Sequence, residues 1–165
     1  MAPHIDIVAL AEPHFESVRQ VLDHVAREKR FLAFTEAPSA KDAYAFYRDI
    51  VANNHVFSVV LSRGEVVGWC DVLPLHGQAR AHIGTLSIGL MPHMRHQGIG
   101  RKLIECTISK ALAKGLTRIE LTVRTDNPNA KALYEQVGFV SEGLFRRAFR
   151  IDDKYYDAHT MALLA

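Results

Sequence analysis

The sequence predicts an α/β (α+β) domain in which a mixed, mostly antiparallel sheet is flanked by helices. Three observations carry this. The apolar period switches between two and about 3.6 residues several times along the chain. Turn signals at Arg63-Gly64 and Asp152-Asp153 each join two alternating runs, as hairpins do. One strand-helix-strand run, from residue 79 to residue 125, calls for a crossover and hence one parallel pair.

Taken in order, "HIDIVAL" alternates as a short strand. "EPHFESVRQVLDHVARE" follows with Phe15, Val18, Val21, Leu22 and Val25 at helical spacing. "AKDAYAFYRDIVAN" is a second helix with Ala43, Phe46, Tyr47 and Ile50 on one side. "HVFSVVLSRGEVVGWCDVLPL" reads as two strands around the Arg63-Gly64 turn, and "ARAHIGTLSIGLM" as a third strand ending at Pro92. From Ile99 to Lys114 the period is helical: Leu103, Ile104, Ile108, Ala111 and Leu112 form the apolar side, and Gly115 is a natural stop. "TRIELTVRT" alternates Ile119, Leu121 and Val123 as a strand. Asn127 can cap the next helix, with Pro128 in its first position and Gly138 at its end. The remainder is a hairpin turning near Asp152-Asp153.

The bulk composition narrows the function classes. The chain has 165 residues, 48% of them hydrophobic and 23% charged, as in one soluble globular domain spanning 1–165. A net charge of +2 argues against a nucleic-acid partner, which usually demands a concentrated basic face. Cys70 and Cys106 lie far apart in apolar contexts and read as core thiols in a reducing compartment. The first residues lack the basic start and apolar run of a signal peptide, and no run approaches the roughly 18 apolar residues of a membrane span. The expectation is a cytoplasmic protein with no membrane partner.

"MRHQGIGRKLIE", residues 94–105, holds the most pointed chemistry. A Walker-type phosphate loop would need a Lys-Ser/Thr pair after its second glycine, which is absent. A dinucleotide fingerprint would need a third glycine where Leu103 stands, although Glu120 has the spacing of a ribose-binding acid. Two readings remain: a plain turn into a helix, or a pyrophosphate cradle. In a cradle the first-turn amides point out unpaired, Gly98 and Gly100 admit phosphate oxygens, and Arg95 adds a cation.

Arg95-His96-Gln97-Gly98-Ile99-Gly100 matches the [Q/R]-x-x-G-x-[G/A] signature of the GNAT N-acetyltransferase superfamily. "TRIELTVRTDNPNAKALYEQVGF" resembles the family's next strand and helix, with N-x-x-A-x-x-L-Y-x-x-x-G-F intact. The closing hairpin is similar to that of small bacterial members that acetylate free amino acids or ribosomal protein N-termini. The resemblance covers residues 80 to 164 well, and the first helices in placement only.

The resemblance implies acetyl-CoA as the acetyl donor and a parallel strand pair splayed at its cleft. Backbone groups of the strand ending Ile88-Gly89-Leu90, chiefly those of Ile88 and Leu90, would pair with the pantetheine amides. The pyrophosphate would lie over the amides from His96 through Gln97, Gly98, Ile99 and Gly100 to Arg101. Asn127 and Asn129 would hydrogen-bond the cofactor arm, with helix capping as the other reading of Asn127. Tyr134 would be the general acid, its phenol protonating a departing thiolate whose own pKa lies near 8.5; on the residues alone it reads first as a core tyrosine beside Leu133.

The base is open. Some members place a glutamate where Gly84 stands here. His82, two residues earlier, and Asp71, on the preceding strand, are candidates, as is water relayed to solvent. The histidines form no compact metal set, so no metal is expected. Direct transfer in a ternary complex is preferred to an acyl-cysteine.

"REKRFLAFTEAP", residues 27–38, is a natural acceptor wall. Phe31 and Phe34 are apolar, Glu28 could hold a cation, and Arg27, Lys29 and Arg30 could instead hold a carboxylate; Tyr155 could border the same site. The expected acceptor is a small-molecule amine such as an amino acid. A protein N-terminus or lysine, and a non-catalytic CoA-binding sensor, are the alternatives. Homodimerisation is compatible with the fold.

Overall fold

Alternating apolar residues build β1 (Ile5–Ala9), β2 (Val56–Ser62), β3 (Glu65–Pro74), β4 (Ile83–Leu90), β5 (Arg118–Arg124), β6 (Val140–Ile151) and β7 (Lys154–Leu164). In the computed structural model, which describes residues 3–165, they join in one sheet in the order β1-β2-β3-β4-β5-β7-β6. Met1 and Ala2 of the expected 1–165 span lie outside the described residues. Every pairing is antiparallel except β4 with β5. The hairpin turns fall where expected: Arg63 and Gly64 both have positive φ, as do Asp152 and Asp153.

Helices α1 (Phe15–Arg27) and α2 (Ala40–Ala52) share one core with the sheet, while α3 (Ile99–Ala113) and α4 (Pro128–Val137) belong to a second. On α1 the helical stripe of Phe15, Val18, Val21 and Val25 is buried against Phe57, Val59 and Trp69. The Ser39 hydroxyl caps α2 by accepting the Asp42 N–H at 3.2 Å. Ala43, Tyr47 and Ile50 of α2 are buried, but Phe46 is 49% exposed, so the expected four-residue stripe narrows to three. Phe46 sits on the outer flank of the helix, its ring 5.8 Å from that of Tyr47.

Across the sheet, Leu103, Ile104, Ile108 and Ala111 of α3 are buried with Val60, Cys70, Val72 and Leu86. One polar pair crosses this core: the Thr107 hydroxyl donates to Ser58 Oγ at 3.0 Å. No described helix is long and apolar enough to cross a membrane.

The feature that positions the site is a short pairing. Only Ile83, Gly84 and Thr85 of β4 face Arg118, Ile119 and Glu120 of β5, and beyond them the two strands part. The β3–β4 ladder has no register shift, and it is flanked by Leu75 N–H to Ile83 C=O (3.0 Å) and Met91 N–H to Val67 C=O (2.9 Å). Odd-numbered β4 residues therefore bond to β3, and even-numbered ones direct N–H and C=O toward β5. Gly84 uses them there; Ile88 and Leu90 have no strand opposite.

Candidate functional site

A cleft of about 540 Å³ opens where β4 and β5 part. Ile88, Gly89 and Leu90 form one wall, Thr122, Val123 and Arg124 the other, and the starts of α3 and α4 close one end. Of the expected cofactor residues, Ile88, Gly89, Leu90, Arg95, His96, Gly98, Gly100, Arg101, Asn127, Asn129 and Tyr134 line it. Gln97 and Ile99 do not. The Gln97 side chain turns back to donate to the His93 carbonyl at 2.7 Å, and Ile99 is buried in the core, so each can offer only its backbone.

Residues 96–100 turn into α3 through two left-handed residues, His96 (φ 59°) and Gly98 (φ 79°). A Cβ on Gly98 would meet nothing within 4 Å, so the space beside it is open cleft. The α3 N-terminus thus brings first-turn amides and the positive end of a 15-residue helix to the cleft. A lone helix end would fit many anions. Here the unpaired backbone of Ile88 and Leu90 lies alongside it, which suits an elongated ligand with an anionic end.

Asn127 caps a helix and also stands in the cleft. Its Oδ1 accepts the Ala130 N–H at 3.3 Å, capping α4, and the residue also lines the cleft. Two turns along that helix, Tyr134 is 9% exposed and packs edge-on to Phe139 at 5.9 Å. Burial pushes its phenol well above the usual tyrosine range. The group therefore keeps its proton at every pH at which an amine acceptor would titrate.

Arg95 departs from expectation. Its Nη1 and Nη2 donate to both Glu28 oxygens at 2.9 and 2.6 Å, and its Nε donates to the Leu90 carbonyl at 3.0 Å. The guanidinium stands 4.7 Å from the centre of the Phe31 ring. It is occupied by a carboxylate of its own chain, so its charge is already matched where a phosphate contact was expected. Glu28, its carboxyl lowered by that same fork, is likewise spent, and it is no free partner for an acceptor cation. The Leu90 carbonyl is taken too, which leaves the Leu90 N–H and both backbone groups of Ile88 facing the gap.

Neither base candidate reaches the cleft. His82 precedes β4 at its far end, is exposed, and its carbonyl accepts from Thr117 and Arg118. The paired segment 83–85 separates it from the opening. Asp71 is 7% exposed on the α1/α2 side of the sheet, where burial pushes its carboxyl up to about 8, against a smaller opposing effect of Trp69. It already holds a proton at neutral pH.

Gly84 explains the missing glutamate: a Cβ there would stand 2.5 Å from Val72 Cγ1 and 2.8 Å from Leu116 Cδ1. No side chain fits. Among the described residues no Asp or Glu lines the cleft, while Arg30, Arg95, Arg101 and Arg124 do.

Of the expected acceptor wall, Phe31 lines the cleft, but Phe34 and Tyr155 do not. Phe34 is exposed, and the exposed Tyr155 ring packs under Arg147 at 4.7 Å on the closing hairpin. Cys70 is buried on the α3/α4 side, and burial pushes its thiol well up, as suits a core residue. Among the described residues no three His, Cys, Asp or Glu gather as a metal group would require.

Sequence reasoning missed Arg124. It ends β5 on the polar side of the alternation, which predicts exposure, yet it is only 6% exposed. Its Nε and Nη2 donate to both Asp126 oxygens at 2.9 and 2.6 Å, its Nη1 donates to the Lys29 carbonyl at 2.8 Å, and the Tyr156 ring centre lies 3.6 Å away. The available signal was Asp126 two residues on, the spacing at which an arginine fork and a carboxylate meet across a strand end.

A second, smaller cavity of about 280 Å³ shares one lining residue, Thr122, with the cleft. Thr85, Glu120 and Phe145 border it, and so does Arg118, which pairs with both Glu120 and Glu142.

Comparison with known proteins agrees with this geometry. Residues 18–139 match the model of the Acetyltransferase (GNAT) family. The N-alpha-acetyltransferase RimI of Mycobacterium tuberculosis is 34% identical over 117 residues, covering 71% of either chain. The ribosomal protein bS18-alanine N-acetyltransferase of Escherichia coli is 36% identical over 77 residues, covering 47% of this chain and 52% of that relative's length. In structure, a GNAT-family acetyltransferase from Streptococcus pneumoniae superposes with TM-score 0.91 at 25% identity, covering 98% of this chain and all (100%) of that one. Salmonella typhimurium yncA, solved with its cofactor acetyl-CoA, gives 0.89 at 16% identity, covering 97% and 93%.

Proposed function

The chain belongs to the GNAT acetyltransferase family, and from that premise we propose that it transfers the acetyl group of acetyl-CoA to the α-amino end of a polypeptide, by direct attack with both substrates bound. The observation that carries the donor is the parting of β4 and β5 beside the α3 N-terminus. It leaves Ile88 and Leu90 with unpaired backbone groups in a cleft that ends at outward-facing amides. Acetyl-CoA combines an amide-bearing arm with a pyrophosphate, and these residues fit both parts. The group it supplies is an activated acetyl thioester.

The chain's own residues do the rest. Tyr134 holds a proton at its hydroxyl and gives it to the departing thiolate, and regains one through water from the nitrogen that has become the amide. Among the described residues no carboxylate lines the cleft to take the proton of the arriving ammonium. Arg30 and the apolar Phe31 wall lower the ammonium pKa instead, and the proton leaves through water. His82 and Asp71 have no part in this.

Two things support a polypeptide acceptor over the small amine expected from sequence. The relatives at 34% and 36% identity carry the names of N-alpha- and ribosomal-alanine acetyltransferases. A second cavity bordered by the same Thr122 also offers residues behind the amine somewhere to lie. A free amino acid is the second reading, favoured by Arg30, which lines the cleft and could hold an α-carboxylate. We place the reaction within one domain and, with two free thiols, in the cytoplasm.

The test is thiol release from acetyl-CoA by the purified protein. Peptides with alanine and other N-termini, N-blocked peptides containing lysine, free amino acids and polyamines are offered in parallel. Turnover with free N-termini and none with blocked peptides is expected. Turnover confined to amino acids would replace this acceptor with the second reading. Saturable acetyl-CoA binding without release from any amine would favour a sensor.

A further inference from the structure

Two arginines stand at the mouths of the two parted strands, and both grip the same short piece of chain. Arg95, just beyond β4, holds the Glu28 carboxylate with two bonds and is itself tied to β4 by the Leu90 carbonyl. Arg124, the last residue of β5, holds the backbone carbonyl of Lys29, the very next residue. Lys29 adopts φ 57°, which turns the chain so that consecutive residues face opposite strands. Its ammonium also reaches Asp152 at 3.0 Å, in the turn of the closing hairpin. The segment just after α1 therefore bridges the open end of the strand pair.

Phe31 is the residue this bridge places. Its ring lines the cleft between Arg95 at 4.7 Å and Arg30 at 5.8 Å, although it is 37% exposed and belongs to no helix or strand. A half-exposed aromatic on a loop has no position of its own unless its backbone is fixed from outside. Both fixing groups are charge-assisted, and Arg124 is buried, so the anchors are stronger than ordinary surface ion pairs.

We propose that Arg124 is a positioning residue for the acceptor: through the Lys29 carbonyl, and together with the Arg95–Glu28 pair, it staples residues 28–31 across the mouth of β4 and β5 and so holds Phe31 as the wall against which the amine is presented. This rests on the acetyltransferase reading for its consequence, though not for the staple itself. The guanidinium must reach Asp126 and the Lys29 carbonyl at once, a two-sided geometry that an ammonium cannot reproduce.

The experiment has two arms, run on Arg124→Lys, Arg124→Gln and Glu28→Gln. In the first, trypsin cleavage after Lys29 and Arg30 is timed by mass spectrometry on the free protein, with melting temperature recorded beside it. Loosening the bridge should speed cleavage at these two sites about tenfold, with Arg124→Lys resembling Arg124→Gln. In the second, steady-state kinetics with the best acceptor peptide should show its KM raised about tenfold, with the KM for acetyl-CoA within about twofold of wild type.

Wild-type cleavage rates in all three variants would overturn the staple. Faster cleavage with an unchanged acceptor KM would make it a purely structural contact and overturn the positioning role. Full rescue by lysine would show that charge alone suffices and count against the proposal. Glu28→Gln, which alters a half-buried surface pair, keeps the test decisive if the Arg124 variants fold poorly. Absence of turnover from the wild-type protein would strike the acetyltransferase reading, and the trypsin arm would still decide the staple.

Discussion

Gly89 of β4 lies flat against the indole of Trp69 on β3, so close that a Cβ at 89 would come within 2.3 Å of two ring carbons. The two residues are register partners, and Trp69 is buried in the core beneath α1. The cleft wall is thus set by an aromatic plane behind it. Gly89→Ala should lower stability by about 1–3 kcal/mol through overpacking, read as a fall in denaturant midpoint with unchanged slope. Combining it with Trp69→Phe should recover part of the loss, and strict additivity of the two changes would disprove the contact.

Gly100 separates folding from ligand recognition. An added Cβ would find only ordinary contacts, 3.6 Å to Leu90 Cδ1 and 3.7 Å to Leu133 Cδ2, inside the first turn of α3. Gly100→Ala should therefore stabilise the free protein, by up to about 1 kcal/mol from helix propensity. It should also weaken acetyl-CoA binding about tenfold or more in titration calorimetry, because the methyl group enters the space over the amides. A stabilised variant with wild-type affinity would remove Gly100 from the cradle.

Tyr134→Phe keeps the ring that packs on Phe139 and deletes only the proton donor. The expected result is a fall in kcat of about a hundredfold with little change in the KM for acetyl-CoA. Because burial raises the Tyr134 pKa, the wild-type rate should climb with pH as the acceptor amine loses its proton. It should show no falling limb from Tyr134 up to pH 9 on the alkaline side, about a unit below an ordinary tyrosine pKa. A Tyr134-dependent loss of rate below that pH would contradict the assignment.

Asp71 gives a stability signature independent of any substrate. Its carboxyl titrates at about 8 when folded against a usual value of 3.8, so between those values the folded protein holds a proton that the unfolded chain has released. Stability must then fall as pH rises across that window and level off above it. Each pH unit within it corresponds to about 1.4 kcal/mol, or ~3 °C in melting temperature for a chain of this size. Asp71→Asn should flatten the profile and melt higher than wild type at pH 8. The buried neighbour Tyr47, itself pushed up to about 12, titrates outside the window. Parallel profiles for the two proteins would show that Asp71 is not buried as described.

Much of the fold was legible because each element announces itself locally. Strict alternation marks β5, and Asn127-Pro128 with Gly138 brackets α4 to the residue. Phe46 misled because helical spacing identifies a side but not how far the neighbouring layer extends. In the candidate site, residues expected to act through their backbone, such as Ile88 and Gly98, are signalled by the motif that surrounds them.

The side-chain partnerships were not legible. Arg95 and Glu28 are 67 positions apart, and each has a plausible solitary role, so only the fold reveals that they cancel one another. The same holds for Arg124, whose place in the alternation predicts water and whose real partner is a carbonyl 95 positions away. Gly84 was visible as a departure from the family pattern, but its cause, the Val72 and Leu116 side chains, lies in packing.

The central claim is that the gap between β4 and β5 receives the donor along the backbone of β4. Residue-resolved amide hydrogen exchange, with and without acetyl-CoA, tests it most directly. The Ile88 and Leu90 amides and those of residues 98–101 should exchange readily in the free protein and become protected on binding, while residues of the paired ladder at 83–85 change little. Protection that spares Ile88 and Leu90, or that gathers at the cavity beside Glu120 and Glu142, would contradict it.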